Sequence, residues 1–174
     1  MLVTLVGYDI MKGRSLLAST SASDYAHLIA ACLFHDIGFV RGILTGDGED
    51  GYVIDADGGK VKLLRGSSDA ALMPYHVERS KLFVMDRLGD SRLLDAARIS
   101  RAIEFTRFQI PAEPDDQDDE EGSLARAASL IGQLGDPHYL RKANALYSRH
   151  LNVHSFRGAQ SSKCLMMAEA DPKN

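Results

Sequence analysis

Residues 33–38 read Leu33-Phe34-His35-Asp36-Ile37-Gly38, and no other stretch restricts the fold as much. A His-Asp pair sits inside an apolar run, at the end of a helical pattern. Two polar, metal-competent side chains among core residues cost on the order of several kcal/mol unless something compensates them. A divalent metal is the obvious compensation. What the chain does therefore hangs on whether a metal site can be completed around this pair.

The pattern on either side is mostly helical. Residues 1–17 predict a helix, with Leu2, Leu5, Val6, Gly13, Leu16 and Leu17 toward one face. No Ser, Thr, Asp or Asn precedes it as a cap, so the expectation is a helix cut into rather than begun. A polar loop follows, then a helix over 24–36 that Gly38 can stop. Residues 44–68 change character. Tyr52-Val53-Ile54 and Val61-Lys62-Leu63-Leu64 flank Asp55-Ala56-Asp57-Gly58-Gly59-Lys60 and predict a small β-hairpin over 52–64. These Asp/Gly runs lack the Asp-x-Asp-x-Asp-Gly spacing and the closing Glu of a calcium loop.

After Pro74, Val77, Leu82, Phe83, Met85 and Leu88 mark a helix ending near Gly89. Another runs from Leu93 through Phe105, with Ile99, Ala102, Ile103 and Phe108 inward. The acidic run 115–121 reads as a solvated loop. Ser123 is placed to cap a helix carrying Leu124, Ala127, Ala128, Ile131 and Leu134, and a last helix covers 137–151. The expected organisation is one all-α helical domain over 1–151 with the hairpin inserted, then a loose polar tail over 152–174.

Composition excludes several classes. A net charge of −4 over 174 residues gives no reason to expect nucleic acid as the partner. No apolar stretch approaches the roughly 20 residues that span a bilayer, and the first residues carry neither a basic region nor a small-residue cleavage site. The only two cysteines, Cys32 and Cys164, stand far apart and suit a reducing cytoplasm.

On a helix of about 100° per residue, Tyr25, Leu28, Ile29, Cys32 and Leu33 form an apolar stripe. Asp36 projects into that stripe, His35 falls at its edge, and His27 lies opposite, on the predicted surface. A neutral imidazole beside a carboxylate suits Zn²⁺, Mn²⁺ or Fe²⁺. The plain alternative is a helix-terminal pair that faces a loop. His76, in Pro74-Tyr75-His76-Val77-Glu78-Arg79, is either a further ligand or a partly exposed histidine. His138, in Asp136-Pro137-His138-Tyr139, reads as first-turn helix chemistry, and His150 and His154 as structural or solvent-facing.

The stretch Ala30-Ala31-Cys32-Leu33-Phe34-His35-Asp36-Ile37-Gly38 resembles the core motif of the HD superfamily of metal-dependent phosphohydrolases. Arg126-Ala127-Ala128-Ser129-Leu130-Ile131-Gly132-Gln133-Leu134-Gly135-Asp136-Pro137 is similar to its closing helix, and Tyr139-Leu140-Arg141-Lys142 and the segment 66–79 resemble a group of small bacterial HD proteins. The resemblance implies an all-α bundle and a site of the form His … His-Asp … Asp. His35 and Asp36 match the middle pair. Residues 1–17 hold no histidine, so the expectation puts the first ligand upstream of Met1. The last Asp is replaced by Ser129, with Asp136 seven residues on as the substitute if the helix continues.

The function so implied is hydrolysis of a phosphoester in a nucleotide or other small phosphorylated molecule. The metal, which could be Mn, Fe, Zn, Ni or Mg, would be held by His35 and Asp36 with His76 and Asp136 as further ligands, and Asp36 would orient the water. Arg41, Arg79, Arg141 and Lys142 are the candidate phosphate contacts. Homo-oligomerisation is compatible with the reading. The alternative is a degenerate HD domain, its metal site incomplete, acting in binding or assembly; a metal-free helical scaffold is a third reading.

Overall fold

A computed structural model describes residues 2–107 and 119–139. The chain divides into two compact units, Met1–Leu134 and Gly135–Asn174. Among the described residues the fold is all-α, with α1 (Leu2–Arg14), α2 (Ala22–Phe34), α3 (His76–Leu88), α4 (Ala96–Glu104) and α5 (Glu120–Leu134), and one small hairpin. No helix among them is long and apolar enough to cross a membrane.

Local chemistry sets the helix ends. Ser21 caps α2: its hydroxyl accepts the Asp24 N–H, while the Asp24 carboxylate accepts the Ser21 N–H. This reciprocal cap satisfies two otherwise unpaired donors. Asp95 caps α4 in one direction, its carboxylate accepting the Arg98 N–H at 3.0 Å. Arg98 then reaches Asp24 at 2.8 Å and Glu121, so one guanidinium joins the starts of α2, α4 and α5. Its hydrogen bond to Asp24, with the Ser21 contacts, holds that carboxyl well below the usual carboxylate range.

The core lies among α2, α3, α4 and α5, with Leu28, Val77, Val84, Ile99 and Ile103 fully or almost fully buried. Each such side chain contributes about 1.5–3 kcal/mol by leaving water. Ile99, Ala102 and Ile103 face inward as the sequence predicts. Phe108 lies outside the described residues.

Helices α1 and α5 run antiparallel, with Val3 against Gly132 at one end and Arg14 paired with Glu120 at the other. Here the predicted faces are corrected. The buried residues of α1 are Gly7 and Met11, with Val3, Val6 and Ile10 packed against the core, whereas Leu5, Leu16 and Leu17 are exposed. In α5 the buried face is Gly122, Ala125, Ala128, Ser129 and Gly132, and Ile131 and Leu134 point out. A Cβ on Gly132 would come within 2.8 Å of the Val3 side chain. The two backbones approach so closely that small residues face the partner and large ones turn outward. Helix α5 begins at Glu120, so Ser123 lies inside it rather than capping it.

The hairpin is shorter than predicted. Tyr52–Val53 pairs antiparallel with Lys60–Val61, in the register Tyr52 to Val61 and Val53 to Lys60. Asp55 closes the turn by accepting the Gly59 N–H at 2.7 Å. The predicted helix over 137–151 and the tail over 152–174 lie almost wholly outside the described residues.

Candidate metal centre

Helix α2 ends one residue before His35. Asp36 has φ −106° and ψ 2°, and Ile37–Phe39 continue as a single 3₁₀ turn. The regular 100° step therefore fails where the sequence projection needed it, and the outcome is reversed. His35 is buried, with its side chain 8% exposed, and Asp36 is the more open residue at 56%.

The turn docks onto the start of α3. A Cβ on Gly38 would stand 2.0 Å from the His76 carbonyl oxygen and 2.8 Å from the Ser80 nitrogen. Only glycine lets the two backbones meet this closely. Gly38 is thus a contact point as well as a helix stop. Its N–H donates to Ser80 Oγ at 2.9 Å, and the Ser80 hydroxyl donates to the His35 carbonyl at 2.8 Å.

This docking brings His76 to the His35-Asp36 pair. His35 Nε2 lies 3.1 Å from Asp36 Oδ2, and His76 Nε2 lies 3.9 Å from Asp36 Oδ1. Each imidazole also faces a backbone carbonyl: His35 Nδ1 is 2.9 Å from the Cys32 oxygen, and His76 Nδ1 is 2.6 Å from the Met73 oxygen. A carbonyl only accepts, so Nδ1 carries the proton in both rings and the neutral form leaves Nε2 bare. His35 Nε2 is buried, and the Asp36 carboxylate 3.1 Å away is the group it faces. Phe39 stacks on the His76 ring, with centroids 4.4 Å apart, and fixes its plane.

Burial by itself pushes the His35 pKa down, but the adjacent Asp36 carboxylate outweighs it and the net shift is upward. Burial pushes Asp36 up, and the two imidazoles outweigh that and leave it lowered. For His76 burial prevails over the Met73 carbonyl and Asp36, and the pKa falls.

Two bare imidazole nitrogens on either side of a carboxylate have the donor chemistry of a first-row divalent metal site. His35 Nε2, buried and facing that carboxylate, fits that use. Among the described residues, no group of three or more His, Cys, Asp or Glu side chains is placed to hold a metal ion. His35, Asp36 and His76 approach one another around the Asp36 carboxylate without forming such a group.

The other candidates fare differently. Arg79 is corrected from phosphate contact to clamp. Its side chain is fully buried against Asp47, and all five of its N–H groups are used: on Gly38 O, on Val53 O, on Val40 O and on both oxygens of Asp47. Burial pushes the Asp47 carboxyl up, but Arg79 and the Val53 and Leu44 amides hold it below the usual range. Arg41 pairs with Asp69 at 2.9 Å, donates to the Ser67 carbonyl and lies over Tyr52.

Ser129 is buried and accepts a hydrogen bond from Gln133 Nε2 at 3.1 Å. Helix α5 stops at Leu134, so it does not carry Asp136 onto the Ser129 face. Asp136 lies in the second unit, where its Oδ1 accepts the His138 N–H at 2.8 Å. Arg141 and Lys142 lie outside the described residues. His27, read as a surface residue, is buried instead. Helix α4 covers it, and its Nε2 accepts the Asp95 N–H at 2.8 Å.

Sequence reasoning missed Ser80 and Asp47. Ser80 stands four residues after His76 and so shares its helix face, a spacing that was there to be read. Asp47 sits in the turn run Gly46-Asp47-Gly48, and nothing local announces its partner 32 residues on.

A family model described as Npun_R2479-like matches residues 1–161. No curated protein and no solved structure matches the chain.

Proposed function

We propose, for a chain that belongs to the Npun_R2479-like family, that it is a metal-dependent phosphohydrolase of the HD type. Its substrate is a phosphoester of a nucleotide or another small phosphorylated molecule. One observation carries the reading: with Nδ1 of each ring held by the Cys32 or Met73 carbonyl, both Nε2 atoms are turned toward the Asp36 carboxylate.

His35, Asp36 and His76 would hold the divalent metal. When bound, such an ion lowers the pKa of a coordinated water and polarises a phosphoryl oxygen. Asp36, with its side chain more than half exposed, is the group within reach of solvent that orients a water and accepts its proton. His35, buried and held by the Cys32 carbonyl, keeps its ring in place without that role. Arg79, all of whose donors are engaged, does not neutralise the phosphate. Arg41 is the described cation left from the sequence candidates for that task.

The test is metal analysis of the purified protein, paired with a screen of nucleotides and phosphodiesters in Mn²⁺. The expected result is stoichiometric metal and a turnover that Asp36→Ala abolishes. Protein that takes up no Mn²⁺ above background sinks the reading. A second reading, a binding module descended from such an enzyme, is favoured by Ser129, which puts a buried, hydrogen-bonded hydroxyl where the resemblance expects a carboxylate. Stoichiometric metal without turnover on any substrate class selects it.

A further inference from the structure

The three candidate ligands come from two separate pieces of chain, so something must set the distance between them. His35 and Asp36 stand on the turn after α2, and His76 opens α3. Ser80 is fully buried and lies one turn beyond His76 on the same helix face. Its hydroxyl bonds both sides of the turn: it donates to the His35 carbonyl and accepts the Gly38 N–H.

The His35 carbonyl needs that donor. Within a continuing helix its partner would be the Phe39 N–H, but that group bonds to the Asp36 carbonyl at 3.1 Å. Arg79 also holds the turn, through the Gly38 carbonyl at 2.7 Å. Ser80, however, touches the backbone of the ligand residue itself. An apolar side chain could fill the same space, but it would leave the buried His35 carbonyl and Gly38 N–H unpaired, and the turn would have to shift to reach water.

We infer that Ser80 is the positioning residue of the site: its one hydroxyl sets the spacing between the His35-Asp36 pair and His76, and thereby the affinity for a divalent cation. This role rests on the reading of those three residues as ligands.

The experiment titrates the metal-stripped full chain with Mn²⁺ by calorimetry and records the thermal midpoint alongside. Ser80→Ala is expected to weaken Mn²⁺ binding about 10–100-fold, the range seen when a group that holds a metal ligand is lost. Val84→Ala, one turn further along α3 at a fully buried site, should lower the thermal midpoint and leave the affinity unchanged. If Ser80→Ala does not fold, Ser80→Cys carries the test, since it keeps the volume with a weaker hydrogen-bonding group; a smaller loss of affinity is expected. Wild-type affinity in the folded Ser80 variant overturns the role and leaves the ligands standing. Equal losses in Ser80→Ala and Val84→Ala overturn it too, because the serine is then only structural. Wild-type protein that binds no Mn²⁺ overturns the role and the ligand reading together.

Discussion

His27 and His35 stand eight residues apart, one in α2 and the other capping its end, and both are buried, at 3% and 6% exposure. Each sends Nδ1 to a backbone carbonyl, of Ser23 at 2.6 Å and of Cys32 at 2.9 Å. They part at the second nitrogen. His27 Nε2 accepts the N–H of the residue that caps α4, while His35 Nε2 accepts nothing and faces a carboxylate. Burial does not separate a structural histidine from a candidate ligand here. What separates them is whether the protein has already used the last nitrogen.

The largest effect is expected where no nitrogen is left over at all. Arg79 spends every N–H it has, so Asp47→Ala should strand a buried guanidinium and cost about 3–5 kcal/mol in denaturant unfolding. A loss near zero would show that the used-nitrogen criterion overstates structural roles.

Next comes the histidine pair itself. His35→Ala should weaken Mn²⁺ binding by at least about 100-fold, or ~2.7 kcal/mol, and cost the metal-free protein less stability than His27→Ala does. His27→Ala should cost about 1–3 kcal/mol, because it strands the Asp95 N–H, and leave Mn²⁺ affinity unchanged. Equal loss of metal binding in the two variants would erase the distinction.

The smallest effect is at the N-terminal end of the same helix, where Asp24 pairs with Arg98. A carboxyl whose pKa is lower in the folded chain stabilises the fold above the unfolded value, about 3.9, and that stability is lost as pH falls through it toward the folded value. Unfolding free energy should therefore decline below about pH 5. Asp24 is 40% exposed, so Asp24→Asn should flatten the decline by less than about 1 kcal/mol. A slope unchanged in that variant assigns the acid sensitivity to the other carboxyls held below their usual range, Asp36, Asp47, Asp95 and Glu104.

The sequence made the helices and the hairpin legible because caps, glycines and apolar periodicity are local. It was weakest on which way side chains point. For α1 the large apolar residues suggested an inward face of Leu2, Leu5, Leu16 and Leu17, yet Gly7 and Met11 are inside. Close helix contact selects for smallness, which a search for apolar bulk overlooks. His27 was misplaced because its own helix supplies only half of its surroundings, and α4 supplies the rest. His35 and Asp36 were exchanged because the projection was carried two residues past the end of α2. The pair was readable as a candidate; the placement of each side chain depended on a turn that the 100° rule does not describe. His76 was identifiable only as a candidate, since its approach to Asp36 depends on Gly38 meeting the α3 backbone.

Arg79 has a further consequence for how the molecule breathes. It binds the carbonyls of Val40 and Val53 and the carboxylate of Asp47, while Asp47 in turn accepts the Val53 amide at 2.9 Å. The loop over 40–53 cannot peel from α3 without exposing this whole set at once. The segment should therefore open as one cooperative unit in native-state hydrogen exchange. Its Val53 amide should exchange in step with the first turns of α3, although 26 residues separate Val53 from Arg79 in the chain.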